Sequence, residues 1–185
     1  MPPFIFALIG LVLFGQGAYI HAKALLAQVL LERAFEKTIA TGHPLKPWNW
    51  ADTWPVARIE VKRLHVSAIA LAGSSGQALA FGPGHVEESV AAGERGVAVY
   101  SAHRDTHFRF LKDVAIGDEI DITRSDGKTF RYRADRSSIV RFDQSGIDPV
   151  TDRYELVLST CWPFDALTSG PDRYLLHAIL IEPGS

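Results

Sequence analysis

Residues 4–20 form an almost wholly apolar run in which Gln16 is the only strongly polar member. With its flanks the run reaches the ~17–25 residues that a helix needs to cross a bilayer. Nothing else constrains the chain as strongly, because a segment of this kind is built for lipid and leaves the folded domain to the residues that follow. A membrane anchor is the favoured reading. The competing one is a cleaved signal peptide, since Ala22-Lys23-Ala24 has the small-x-small form of a cleavage site. The run is longer than the usual ~7–15-residue core of a signal, which favours the anchor. In either case the chain leaves the cytoplasm. The expectation is a single pass in the inner (cytoplasmic) membrane, with the remainder extracytoplasmic, in the periplasm.

Residues 22–41 are rich in Ala, Leu, Glu, Lys and Gln and contain no Pro or Gly, so they are expected to be helical and to stop near Gly42 and Pro44. The spread of their apolar positions suggests a juxtamembrane helix that holds the next domain off the bilayer, the alternative being that one side packs on that domain. Residues 43–50, with Pro44, Pro47, Trp48 and Trp50, read as a linker. This divides the chain into residues 1–22 as anchor, 23–50 as juxtamembrane helix and linker, and 51–185 as one domain. A net charge of -2 leaves no basic surplus for gripping phosphate backbones, which argues against nucleic acid as a partner.

From about Asp52 the pattern changes to short β segments. Ile59 and Val61 alternate with polar neighbours, and Leu64 and Val66 resume in the opposite phase, which requires a turn or bulge near Lys62 and Arg63. Residues 119–123 and 129–133 alternate on either side of Ser125-Asp126-Gly127-Lys128, a hairpin signal through Asp-Gly. Residues 97–100, 154–158 and 174–181 read as strands buried on both faces, and a short helix is expected over 86–92. The sum is a small, mainly β barrel or sandwich.

The single cysteine, Cys161, directly follows one of the buried strands and precedes Trp162-Pro163. Pro163 cannot extend a central strand, so the thiol sits where the loop begins, a position from which scaffolds present reactive groups. One cysteine cannot form an internal disulfide or a multi-cysteine zinc site. Two readings remain, a buried core thiol and a nucleophile. A nucleophile needs a base, and His103, in the polar run Ser101-Ala102-His103-Arg104-Asp105 after the strand at 97–100, is the best placed of seven histidines. His107 is a minor alternative, and His177, inside an apolar strand, reads as a hydrogen-bonded structural residue. Arg173 opens the last strand, either in a salt bridge with Asp165 or Asp172 or as a fork of donors for a carbonyl oxygen or oxyanion.

Leu158-Ser159-Thr160-Cys161, the downstream Arg173 and the upstream His103-Arg104-Asp105 resemble the sortases, membrane-anchored cysteine transpeptidases. The similarity runs from about Trp54 onward and keeps the order His, Cys, Arg. The family's usual Thr-Leu-x-Thr-Cys has Val157 at its first position, and Ala102 replaces a frequent glycine. The run His103-Arg104-Asp105-Thr106-His107-Phe108 looks most like the sortases of proteobacteria. The resemblance implies an eight-stranded sortase β-barrel with short helices. It also implies a secreted protein substrate with a C-terminal sorting signal of the Leu-Pro-x-Thr-Gly type, and an amine acceptor that the sequence leaves open. Catalysis would rest on a Cys161 thioester, His103 as acid and base, and Arg173 on the oxyanion, with Thr160 and Trp162 binding substrate. No metal or organic cofactor is required. The alternatives are another extracytoplasmic cysteine acyl-transferase, such as an L,D-transpeptidase, whose Ser-x-Gly-Cys signature is absent, and a non-enzymatic membrane-tethered β-domain.

Overall fold

The structure, a computed structural model, describes residues 3–148, 151–166, 168 and 170–182. Its first element is a single helix, α1 (Pro3–Thr41), of 39 residues, which at 1.5 Å per residue is about 58 Å long. The early part exposes Phe4, Phe6, Leu8, Leu11 and Phe14. Further along, Ala27, Leu31, Ala34, Phe35 and Thr38 recur at helical spacing and are buried. Leu31 and Phe35 pack with Ile69, Leu71 and Ala78 of the domain. Gln28 adds a hydrogen bond to the Phe81 carbonyl at 2.9 Å, and Glu32 pairs with Arg58. Of the two sequence readings of this helix, the packing of one side on the domain is the one the contacts display. Its stripe is narrow enough to dock, and the helix runs unbroken from the apolar segment onto the barrel. It stops at Gly42, whose φ of 71° is the left-handed conformation of a helix C-terminus.

Eight strands close into a barrel in the order β1-β2-β3-β4-β7-β8-β6-β5. They are β1 (Pro55–Val61), β2 (Val66–Ala72), β3 (Gly84–His85), β4 (Gly96–Ser101), β5 (Glu119–Arg124), β6 (Thr129–Arg141), β7 (Tyr154–Cys161) and β8 (Asp172–Glu182). Between β1 and β2 a 3-10 turn, Lys62–Leu64, ends on His65 in the left-handed region, which makes the change of phase read from the sequence. The Asp-Gly hairpin joins β5 to β6, with Thr123 opposite Thr129. A short helix, α2 (Gly76–Phe81), lies under α1. The expected helix over 86–92 does not form. The Ser89 hydroxyl donates to the Val86 carbonyl at 2.7 Å and accepts from the Val99 amide at 3.1 Å, so a side chain takes over backbone partners and the segment turns.

Inside the barrel Ile59, Ile120, Ile122, Tyr132, Leu156, Leu158 and Leu176 form the main core. The Gly93 amide donates to the Tyr132 hydroxyl at 2.6 Å. Gly93 has a φ of 85°, and a Cβ there would lie 2.1 Å from the Phe130 ring, so glycine alone fits. On the outer face of β4, β7 and β8 a second cluster joins Val97, Val99, Val157 and Leu175, covered by Val86, Val140 and Ile147. Strand parity divides the two sets: Leu156, Leu158 and Thr160 point one way, and Glu155, Val157, Ser159 and Cys161 the other.

Candidate active site

The site lies where β4 and β7 end and β8 begins. β4 and β7 are parallel, with Ser101 opposite Ser159. Pairing continues past the strands, as the Ala102 amide donates to the Ser159 carbonyl at 3.1 Å and the Thr160 hydroxyl to the Ala102 carbonyl at 2.7 Å. His103 and Cys161 each lie two residues beyond the Ser101 and Ser159 pair, so the two chains leave the sheet at the same level. β7 and β8 are antiparallel, and Cys161 is the direct partner of Arg173. Direct partners share a face, so thiol and guanidinium emerge on the same side of the sheet. Cys161 is a free thiol, half-buried, and His103 is exposed.

Arg173 donates from Nη1 to the carbonyls of Gly170 and Asp172, at 3.0 and 2.9 Å, and lies 5.8 Å from the centre of the Phe142 ring. These contacts fix the plane of the guanidinium. Among the described residues Nε and Nη2 have no protein partner, and the salt bridge with Asp165 or Asp172 weighed from the sequence is not formed. Trp162, Phe164 and Tyr174 form an aromatic cluster with ring centres 5.1 to 6.1 Å apart. Tyr174 is the strand partner of Thr160 and packs with Phe164 on the barrel core, so the cluster adjoins Cys161 only through Trp162.

Two side chains hold this end of the barrel together. Thr160 is 2% exposed and its hydroxyl is bound to the Ala102 carbonyl. Thr160 thereby ties the cysteine strand to the histidine loop, and Trp162, next after Cys161, is half-buried. Arg104, read from the sequence merely as polar surroundings of His103, is 5% exposed. It donates to the carbonyls of Pro163, Ala166 and Thr168, at 2.9, 2.6 and 3.0 Å. One buried cation thus clamps the β7–β8 loop to the loop of His103. An arginine directly after the candidate base was the available signal; its partners, about 60 residues away, were not.

His177 accounts for itself structurally. Its Nδ1 bonds Glu155 Oε1 at 2.7 Å, and Glu155 also receives Arg136 Nη2 at 2.7 Å. His107 lies nearer to α2, and burial pushes its imidazole below the ordinary histidine value, opposed by a hydrogen bond with the Ala80 backbone and assisted by His103. A proton on His107 is disfavoured where His103 is exposed. Among the described residues no three His, Cys, Asp or Glu side chains gather to hold a metal ion.

A family model described as a sortase domain matches residues 59–181. Sortase D of Bacillus subtilis (strain 168) is 31% identical over 120 residues, which are 64% of this chain and 60% of that protein. The chain therefore spans about 60% of the length of the curated relative it matches. Sortase A from Corynebacterium diphtheriae superposes with a TM-score of 0.64 at 25% identity, over 72% of this chain and 63% of that one. Sortase C-1 from Actinomyces oris gives 0.62 at 25% identity, over 69% and 75%. A Clostridium perfringens sortase D5 transpeptidase gives 0.67 over 85% of this chain and 99% of that one; at 23% identity this likeness speaks for the fold alone.

Proposed function

The chain belongs to the sortase family, whose members are cysteine transpeptidases, and from that premise we propose that it cleaves a C-terminal sorting signal of the Leu-Pro-x-Thr-Gly type. The secreted protein so cleaved is transferred through a Cys161 thioester to an amine. The observation that carries this reading is the strand register that makes Cys161 and Arg173 direct partners while Ala102 and Thr160 tie the His103 loop to the same strand end.

In the proposed reaction the Cys161 thiol passes its proton to His103, Sγ attacks the carbonyl carbon before the scissile bond, and the pair of electrons displaced from the C=O collects on oxygen. The Nε and Nη2 donors of Arg173 stabilise that oxyanion. His103 gives a proton to the departing amine as the C–N bond breaks, leaving the thioester. An incoming amine attacks the thioester carbon, His103 takes its proton, and the thiolate leaves. Trp162, next after the nucleophile, is where the peptide meets the barrel, and Thr160 and Arg104 keep the two loops in place. The apolar part of α1 anchors the protein in the cytoplasmic membrane with the barrel outside the cytoplasm. The run from His103 to Phe108 supports a place beside the sortases of proteobacteria, although the curated relative is from Bacillus.

The test is cleavage of a fluorogenic Leu-Pro-x-Thr-Gly peptide with and without an added amine. Wild type is expected to give both cleavage and an amine adduct, and Cys161→Ala neither, with an unchanged circular dichroism spectrum. Turnover by the folded alanine variant comparable with wild type overturns the reading, as does a Cys161 thiol that stays unlabelled by an alkylating probe.

A further inference from the structure

Because α1 does not break between the apolar run and the barrel, the barrel's height above a bilayer is set by the helix itself. Residues 4–20 span ~25 Å as helix, close to a hydrocarbon core of ~30 Å, so the chain emerges from lipid at about Ile20 and His21. At this level α1 and the barrel enclose a groove of about 1000 Å³, into which Lys23 projects from the helix and Arg109 and Lys112 from the loop that follows His103. Its floor is apolar, with Ile20, Leu25 and Phe110 among the lining side chains.

Among the described residues the cations on this groove form no salt bridge, and Arg109 and Lys112 also line a second, smaller pocket together with Asp105 and Asp165. Elsewhere on the barrel the arginines at 58, 63, 95, 124, 131, 133, 136 and 141 each form an ion pair. Among the described residues Lys23, Arg109 and Lys112 have no carboxylate partner. The one acid on the groove, Asp113, lies within the electrostatic reach of Arg63 on its other side. His107 also lines the groove, and burial keeps it largely uncharged, so the positive field comes from the three long side chains. Two amphipathic rings mark the same level: Tyr19 on the groove, and Trp50, 80% exposed, on the other flank of α1 beside Lys23 and Leu26. Exposed Trp and Tyr with cations beside them are what a headgroup layer accommodates.

We propose that this face of the barrel rests on the bilayer that holds α1, with Lys23, Arg109 and Lys112 binding the phosphates of anionic phospholipid headgroups. The surface lies on the segment that continues directly from His103, so the headgroup layer steadies the loop that carries the candidate base. The inference rests on the reading of α1 as a membrane anchor. Its ligand is the lipid surface, not the sorting signal.

The experiment places the full chain, one copy per nanodisc, in discs of phosphatidylcholine or of phosphatidylcholine with phosphatidylglycerol, and follows amide hydrogen exchange over 106–113. With three cations each attracted to an anionic surface, exchange there should be slower by a factor of ~10 to 10² in the anionic discs. The protection should vanish in 1 M salt, where the screening length is ~3 Å, and in the Lys23→Gln, Arg109→Gln, Lys112→Gln triple variant. Glycerol phosphate added to phosphatidylcholine discs should not reproduce it. Equal exchange in both discs overturns the proposal. So does protection that survives in the triple variant, that glycerol phosphate restores, or that needs two copies per disc. A chain that does not enter discs at all refutes the anchor and this proposal together, whereas insertion without lipid-dependent protection refutes this proposal alone.

Discussion

The outer face of β4, β7 and β8 has two polar ends separated by one apolar middle, and the ends differ in how much of their hydrogen bonding they keep. At one end His177, Glu155 and Arg136 satisfy each other, with Glu155 taking both partners at 2.7 Å. At the other Cys161 and His103 have no side-chain partner among the described residues, and Arg173 keeps two donor atoms unused. Valines and Leu175 fill the space between them. Both ends carry a histidine beside an arginine, so residue type alone does not separate structure from chemistry. The difference lies in satisfaction. A closed network gains stability by spending its donors, whereas a reacting site must hold them in place for something that is not yet there.

The largest effects that can break this comparison are at the open end. His103→Ala is expected to lower kcat/KM of peptide cleavage by ~10²–10⁴, the usual worth of a proton-transfer group, and Arg173→Ala by ~10²–10³, that of an oxyanion donor. His103→Ala should leave the melting temperature nearly unchanged, since the ring is exposed, whereas Arg173→Ala also gives up two hydrogen bonds to carbonyls and should lower it modestly. If His177→Ala instead abolishes cleavage in a well-folded protein while His103→Ala does not, the roles of the two ends are reversed.

Arg104 sharpens the comparison because it is a buried cation at the open end. Its three carbonyl partners lie on the β7–β8 loop, and Arg104→Met keeps much of the volume while removing every donor. Loss of hydrogen bonds to a charged group, at ~1.5–3 kcal/mol each and non-additive, predicts a destabilisation of about 2–4 kcal/mol. A small displacement of reacting groups can cost as much as ~10²-fold in rate. The expected result is therefore a lower melting temperature together with a reduced kcat, and partial rescue of kcat by Arg104→Lys. A variant that loses stability but keeps wild-type kcat would reduce Arg104 to a loop staple.

At the closed end His177→Ala is expected to act through stability. It leaves Glu155 buried with one partner fewer, a cost of about 1–3 kcal/mol, readable as a lower urea midpoint, while kcat/KM of the folded fraction stays near wild type.

What the sequence revealed follows the range of the physics involved. Strand phase is set by alternation within a few residues, so the change between Val61 and Val66, the Asp-Gly hairpin and the strand ending at Cys161 could all be read locally. The eight-stranded barrel followed from the family resemblance, and the closed sheet has that form. The helix expected over 86–92 was lost to Ser89, a residue whose local hydrogen bonds compete with helix. The partners of α1 and of the Arg104 clamp were out of reach because both sets lie tens of residues away in the chain. The burial of Thr160 against Ala102 was out of reach for the same kind of reason: it is a property of the parallel β4–β7 pairing, which no local pattern encodes.

The smallest predicted effect concerns a third region, β5 and the turn that leads into it, which β8 and β6 separate from β7. Asp118 receives Arg63 Nε and Nη2 at 2.5 and 2.6 Å, and this hydrogen bonding holds its carboxyl below the ordinary carboxylate value against a cost of burial. For Asp121 burial pushes up, but hydrogen bonds from Arg131 and Lys62 outweigh it and the carboxyl again ends low. A carboxylate that titrates lower folded than unfolded contributes stability that is present above the unfolded value, ~3.9, and is lost as pH falls through the folded one. The melting temperature is therefore expected to be flat from neutral pH to about 5 and to fall below about 4. Arg63 is exposed and Arg131 half-buried, so salt still screens these pairs and the slope is shallow. Asp118→Asn with Asp121→Asn should melt lower than wild type at neutral pH and lose less on acidification. Parallel decline of the two proteins below pH ~4 would show that the acid sensitivity lies elsewhere in the molecule.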